Sequence, residues 1–481
     1  MKQLIISRDA LETRVAVLED GRPAEMYVER PHRRSLVGNV YKGRVENVLT
    51  GMDAAFVDIG LERNGFLSAG EVVAPEARSG RSRTIGDLLR PGSELLVQVT
   101  RDAMGGKGPR LTMEVGIPGR YLVYLPTGKG AGVSRRLGSE ERERLRTISR
   151  AVAPESGGII VRTAAEGAGR EAIERDLRFL QRMWAGAERR ARAAGAPALV
   201  YMEVELAVRS VRDLVGPDFV AVVVDDEKLH RRLASYLHAV APELQQRVER
   251  YEDEEPLFSR LGLEREIEKA LSRRVDLPSG GYIVIDHTEA MTVIDVNTGR
   301  YVGRRHLEDT TVKTNLEACR EIVRQLRLRD IGGIIVIDFI DMTAKANREA
   351  VLAALEAQFT LDRTKTYVVE ISPLGLVEMT RQNVTQGLRE IVTAHCPVCR
   401  GRGRVISEES ALIAVERRLG HLLRSCELPI LRVELHPRVA ALLGGGGAPV
   451  LQRLEVQTGR RLTIEAATEE VRLDHVAVLP D

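Results

Sequence analysis

Residues 291–300 read MTVIDVNTGR, and residues 333–342 read GIIVIDFIDM. Each is an apolar strand pattern that runs into a carboxylate. The first carries Asp295 and Asn297; the second carries Asp338 and then Asp341. A buried carboxylate without a partner is costly, so an apolar strand ending in Asp usually has a reason. Residues i and i+2 of a strand point to one side. Asp295 and Asn297 therefore present two oxygens to one hard cation, and a neighbouring strand would let Asp338 add a second carboxylate. Few protein ligands with several waters is what Mg²⁺ prefers. Such an ion activates water and neutralises a phosphodiester in the transition state. The plainer use of such residues is to cap turns or helices, and Asp341, just ahead of a helix pattern, reads as an N-cap.

Around these strands, residues 281–400 alternate between strand and helix. YIVIDHT precedes them, helices are predicted from about Val312 to Arg327 and from about Ala346 to Gln358, and TYVVEIS follows. This is the pattern of an α/β domain. Upstream, residues 215–280 hold the strand FVAVVVDD and helical segments around Glu227–Glu252 and Leu263–Ser272. Residues 119–214 mix strands with a long helix around Arg170–Ala194. Downstream, the tail from about Ser407 opens with a helix and returns to short strands, and its GGGG at Gly444–Gly447 reads as a loop.

From Gly38 to about Val115 the pattern is almost all β: five short strands with glycine-rich joints, which suggests a small closed barrel of the OB type. A Pro/Arg/Ser/Gly stretch between Val73 and Gly92 reads as a long loop within it. OB folds bind single-stranded nucleic acid by stacking bases on aromatics beside a positive groove. Phe56 and Phe66 fall on the second and third strands, Tyr41 and Lys42 on the first, and Lys107 in GGKGPR before the last. Phenylalanines on barrel strands more often fill the core; the flanking Lys and Arg narrow that preference without reversing it.

GGIIVRTAAEG ends an apolar strand with Arg162 and Thr163, and a guanidinium fork beside a hydroxyl suits a terminal phosphate. PGRYLVYLP puts Gly119 where backbone N–H groups can approach closely, and VSRR adds Arg135 and Arg136. A salt-bridged Arg at a strand end is the simpler reading of the same local pattern.

Only four cysteines occur, at 319, 396, 399 and 426. Cys396-Pro-Val-Cys399 followed by Arg-Gly-Arg-Gly makes a tight turn with both thiols on one side, half of a zinc knuckle. A structural zinc wants four ligands. His395 is a possible third, whereas Cys319 and Cys426 lack the knuckle context. The economical completion is the same turn from a second chain, giving a Zn²⁺ shared across a two-fold axis and a homodimer. A redox C-x-x-C fits less well, because the motif does not open a helix after a strand.

The 481 residues suit about three or four domains. Net charge is +2, from 71 basic and 69 acidic side chains, which excludes a grossly polybasic protein but not a local basic groove. Nine lysines and 62 arginines make up the basic set; arginine favours forked phosphate contacts, although a GC-rich genome explains the bias as simply. No apolar run approaches the roughly 20 residues of a membrane span, and the N-terminus lacks a signal-peptide pattern. The expected class is a cytoplasmic multidomain protein.

Four stretches then carry a resemblance: GNVYKGRVENVLTGMDAAFVDIGLERNGFL (38–67), VIDVNTG (293–299), TNLEACREIVRQLRLRDIGGIIVIDFIDM (314–342) and HCPVCRGRG (395–403). In this order, and over nearly the whole chain, they resemble the bacterial ribonuclease E/G family. Its length and lack of a long polar tail are most similar to the shorter members. The resemblance implies an α+β multidomain fold. A ribonuclease H-like subdomain is split between residues 1–35 and 208–270, with an OB-fold RNA-binding barrel at 36–118 inserted into it and a 5′-phosphate sensor region at 119–207. A deoxyribonuclease I-like α/β catalytic subdomain (271–392), a zinc link (393–406) and a small dimerisation domain (407–481) complete it.

The resemblance also implies the activity: hydrolytic endonuclease cleavage of single-stranded A/U-rich RNA with 5′-phosphomonoester products, in rRNA 5′-end maturation and mRNA decay. On matching positions, Asp295 and Asp338 are the Mg²⁺-binding catalytic aspartates and Asn297 orients the attack. Phe56, Phe66 and Lys107 clamp RNA. Arg162 and Thr163, with the backbones of Gly119 and Val123, hold a 5′-monophosphate. Cys396 and Cys399 form the zinc link of a homodimer or tetramer. Lys365 stands where some members carry Arg near the sensor; it keeps the charge but loses the fork, so discrimination by the 5′ end is expected to weaken. The rival reading is an RNA-binding scaffold that kept the fold, against which the intact Asp295/Asn297/Asp338 set argues.

Overall fold

A computed structural model describes residues 1–73, 84–103, 107–299, 307–372, 375–382, 386–399, 401–425, 428–444 and 448–480. The chain divides into two compact units, Met1–Ile391 and Val392–Asp481.

The first unit is built on four sheets. In one, the meander Lys2–Arg8, Thr13–Glu19 and Arg22–Glu29 is extended beyond its first strand by Phe219–Val224 and then Val248–Arg250, both parallel to it. The first 29 residues thus rejoin a segment some 190 positions later. The driving force is apolar: Leu4, Ile6, Val15, Val17, Phe219, Val222 and Val224 are buried in one core with Leu229, Leu233 and Leu237. Those three leucines share a face of the helix Glu227–Val240, whose N-terminus is capped by Asp226 accepting from Leu229 N–H at 2.7 Å. The helical reading of 227–252 is corrected at its end, where Val248–Arg250 is a strand.

The barrel runs Val40–Leu49, Ala54–Asp58, Gly65–Ser68, Arg110–Thr112 and Glu94–Arg101, and closes by antiparallel pairing of the last with the first. Ala198–Tyr201 adds a sixth strand alongside Val40–Leu49. Val45, Ala55, Val57, Leu67, Val97, Val99 and Leu111 fill the interior. The expected loop between Val73 and Gly92 contains a short helix, Ile85–Leu88, with a Thr84/Asp87 capping box; residues 74–83 lie outside the described residues. A third sheet, ordered Gly130–Val133, Gly158–Val161, Leu122–Leu125, Ile117–Pro118, packs with the helices Ser139–Val152 and Arg170–Ala193.

The fourth sheet is ordered Arg274–Asp276, Tyr282–His287, Met291–Asn297, Gly333–Asp338, Leu376–Arg381, Thr366–Ile371. The helices Leu307–Leu328 and Lys345–Phe359 cover one face. Ile294, Val296, Ile335 and Ile337 meet Ala318, Cys319, Ile322, Val351 and Leu355 there. Arg327, buried at the end of the first helix, pairs with Glu19 at 2.7 Å and Glu25 at 2.8 Å, tying this sheet's helix to the N-terminal meander.

In the second unit, Arg461–Ala466, Ile430–Leu435 and Val476–Val478 form a small sheet. Glu408–Ser425, Pro437–Gly444 and Ala448–Thr458 are its helices, and Val415, Leu419, Leu431, Val433 and Val439 lie in its core. Gly445–Gly447, part of the expected glycine loop, and Cys426 fall outside the described residues.

Candidate active site and phosphate pocket

Met291–Asn297 and Gly333–Asp338 are parallel neighbours, with Asp295 directly opposite Asp338. Strand alternation decides which side they face. Thr292, Ile294 and Val296, with Ile335 and Ile337, are buried, so Asp295 and Asp338 stand exposed on the sheet's other face. Asn297 shares that face and its Nδ2 donates to Asp295 Oδ2 at 2.8 Å. Partial burial pushes the Asp338 carboxyl up, and the charges of Asp295 and Asp341 push it further. A divalent cation relieves that repulsion. Among the described residues no cluster of three or more His, Cys, Asp and Glu is arranged for a metal. The two carboxylates are the donors here, with the Asn297 amide beside them, a set that fits Mg²⁺, which keeps several waters.

Asp341 is not an N-cap. The helix Lys345–Phe359 starts after Ala344, and Glu308 Oε1 accepts from Ala344 N–H at 3.0 Å and from Asn347 Nδ2 at 2.9 Å. Asp341 is instead an exposed third carboxylate near Asp338.

On the barrel, Phe56 and Phe66 are directly opposite across adjacent strands, their rings edge-to-face with centroids 6.0 Å apart. Both are half-buried and outside the barrel core, on the outward side of strands whose alternate residues fill it. The core-filling reading of these two rings is therefore set aside. Arg110, exposed, pairs with Phe66 in the next strand, and Lys107 is exposed three residues before it. Tyr41 is buried, and Lys42 is engaged with Glu94 at 3.1 Å and the Ala194 carbonyl at 2.9 Å.

Arg162 leaves the strand Gly158–Val161 and its Nη1 donates to the Gly119 carbonyl at 2.5 Å and to Asp213 Oδ1 at 2.7 Å. Burial would raise the Asp213 carboxyl, but the guanidiniums of Arg212 and Arg162 outweigh it and hold it down at about 2. Thr163 Oγ1 lies 3.1 Å from Ser134 Oγ. Gly119 is required by close approach: a Cβ there would lie 2.5 Å from the Asp176 carboxylate. Asp176, fully buried, accepts from the N–H groups of Tyr121 at 2.7 Å and Leu122 at 3.2 Å, and so fixes the turn that leads to Val123. The Gly119 N–H itself is donated to Leu122 O. Lys365 is exposed just before the strand Thr366–Ile371. Arg136, noted from VSRR, donates to the Arg363 carbonyl at 2.6 Å.

In the second unit Cys396 and Cys399 lie on one turn. The Cys399 thiol is lowered, first by the Gly403 N–H and then by Cys396 and the Gly401 N–H. Zinc binds the thiolate form of cysteine, which a lowered thiol favours. Gly401 has φ +82°, and a Cβ there would lie 2.8 Å from His395 Nδ1. Cys319 is far from such a role: it is buried, its thiol is pushed up to about 12 by burial, and its Sγ donates to the Val351 carbonyl.

The sequence profile of the ribonuclease E/G family matches residues 116–384. The chain is 40% identical over 471 residues to ribonuclease G of Salmonella typhimurium (strain SL1344), covering 96% of each. The chain belongs to the ribonuclease E/G family. Ribonuclease G of Haemophilus influenzae is 38% identical, again over 96% of both chains. Ribonuclease E of Nostoc sp. (strain PCC 7120) is 39% identical over 84% of this chain but 59% of its own length.

Within this family member, sequence reading missed Asp213, Arg212 and Arg363. Arg212 is buried and bonds both Asp213, at 2.9 Å, and Glu203, at 2.6 Å. Arg212 has near partners in Asp213 and Glu203, but Asp213 also meets Arg162, 51 positions away, and Arg363, 150 positions away, which no local pattern marks. Among the described residues no helix is long and apolar enough to cross a membrane.

Proposed function

We propose that this chain is a metal-dependent endoribonuclease that cuts single-stranded, A/U-rich RNA and favours 5′-monophosphorylated ends. The observation that carries the reading is Asp295 opposite Asp338 on the open face of the sheet, with Asn297 bonded to Asp295. A Mg²⁺ held by the two carboxylates would supply Lewis acidity to an attacking water and offset charge on the phosphodiester. Asn297 fixes the Asp295 rotamer through its N–H and keeps its carbonyl oxygen for orienting the water. In-line attack on phosphorus breaks the bond to the 3′ oxygen, leaving a 3′-hydroxyl and a 5′-phosphate.

Phe56 and Phe66 offer two stacking edges, and Lys107 and Arg110 offer charge for the strand that follows. Arg162 and Thr163 take the terminal phosphate, with Gly119 and Val123 shaping the pocket and Lys365 adding a charge. In this reading the five-stranded sheet is a ribonuclease H-like subdomain, the fourth sheet a deoxyribonuclease I-like one, and Cys396 and Cys399 share a Zn²⁺ with a second copy. Work on rRNA 5′ ends and mRNA decay accords with the family membership.

The test is cleavage with Mg²⁺ of one A/U-rich RNA bearing a 5′-monophosphate or a 5′-hydroxyl. Internal cuts with 3′-hydroxyl and 5′-phosphate ends, faster on the monophosphate, are expected. Cyclic phosphate ends would contradict the hydrolytic mechanism, and equal rates would remove the 5′ sensor.

A further inference from the structure

We propose that Arg363 is a second guanidinium of the 5′-phosphate pocket, supplying the fork that Lys365 lacks; the inference rests on the 5′-monophosphate reading above. Arg363 Nη1 donates to the Asp213 backbone carbonyl at 2.9 Å. Arg162 Nη1 donates to the carboxylate of the same residue at 2.7 Å. The two guanidiniums are therefore anchored on one residue: Arg162 from the third sheet, Arg363 from the lead-in to an edge strand of the fourth. Arg136 joins them through the Arg363 carbonyl. Arg162 and Arg212 share the Asp213 carboxylate, Arg212 at 2.9 Å, while Arg363 holds the backbone carbonyl of the same residue. Arg162, Arg212 and Arg363 set three positive charges against the carboxylates of Asp213 and Glu203 that pair with them, a balance that suits a phosphate.

Arg363 is also rigidly mounted. Its neighbour Asp362 is buried and held by Arg381, Nε to Oδ2 at 2.8 Å. Arg381 in turn donates to Asp330 at 3.0 Å and the Ile331 carbonyl at 2.9 Å. A recognition group whose backbone is fixed loses little order on binding. Arg381 ends the strand Leu376–Arg381, which pairs with Gly333–Asp338. The pocket's second guanidinium thus stands on the sheet that carries Asp338. Arg363 and Lys365 are both exposed, but only Arg363 is anchored through its side chain; the Lys365 ammonium has no hydrogen bond or ion pair among the described residues. The simpler use of Arg363 is to cap the last carbonyls of the helix Leu206–Leu214.

The experiment measures kcat/KM on 5′-monophosphate and 5′-hydroxyl RNA, with Tm, for wild type, Arg162→Ala, Arg363→Lys and Lys365→Gln. Lysine still donates to the helix end but has no fork. The expected result is a monophosphate-to-hydroxyl ratio lowered about tenfold by Arg363→Lys, and less by Lys365→Gln. An unchanged ratio in Arg363→Lys, with Arg162→Ala still lowering it, would overturn the proposal and leave Arg363 a helix cap. An unchanged ratio in both would overturn the 5′-monophosphate reading itself.

Discussion

Asp295 and Asp338 are register partners on adjacent parallel strands, exposed on the face their helices leave open. Partial burial, and then the charges of Asp295 and Asp341, push the Asp338 carboxyl up. A cation held between the two carboxylates would offset that repulsion. Asn297, bonded to Asp295, is the support for this pair. Asn297→Ala is expected to lower kcat about 10- to 100-fold, the usual cost of losing a group that orients a metal ligand, and to raise the Mg²⁺ concentration needed for half-maximal rate. An unaltered Mg²⁺ dependence would assign Asn297 no part in holding Asp295.

Phe56 and Phe66 pack on each other outside the barrel core. Replacing either with Ala therefore leaves Tm nearly unchanged. Base stacking is worth roughly 1–3 kcal/mol per base, so each change is expected to weaken RNA binding by about tenfold. A large fall in Tm with unaltered affinity would return both rings to a structural role.

Asp213 gives a pH prediction. Its carboxyl sits at about 2 in the fold, against an ordinary value of 3.8. A carboxyl lowered on folding contributes stability that is present above about pH 4 and lost as the pH falls towards 2. Asp213→Asn removes that contribution, so its Tm should fall less steeply than wild type across the same window. Parallel Tm profiles would show that the Arg162–Asp213–Arg212 cluster does not stabilise the fold.

The Cys396/Cys399 turn predicts one Zn²⁺ per two chains. Serine at both positions should abolish zinc binding and yield monomers by light scattering. Zinc-free dimers of that variant would separate association from the metal.

Much of this was legible where chemistry is local. The alternation of VIDVN and IIVID put Asp295, Asn297 and Asp338 on strands, and the predicted helices over 312–327 and 346–358 are those at Leu307–Leu328 and Lys345–Phe359. The limits were tertiary. Asp341 looked like a cap because it precedes a helix, but the N-cap position is Ala344, whose N–H is held by Glu308, 36 residues before it. Val248–Arg250 is too short to show a period and is a strand only because Phe219–Val224 offers an edge. Whether Phe56 faces in or out depends on which alternate set fills the barrel, and both sets are apolar at that point. Arg363 and Asp213 are 150 positions apart, a separation that no spacing rule reaches.

The most direct test of the central claim is single-turnover cleavage of a short 3′-labelled A/U-rich RNA with Mg²⁺, comparing wild type with Asp338→Asn, and RNA affinity measured on both. The wild type is expected to make internal cuts that require Mg²⁺, and the Asp338→Asn protein to bind the RNA with similar affinity without cutting it. Cleavage by the variant at the wild-type rate, or binding without cleavage by the wild type, would contradict that claim.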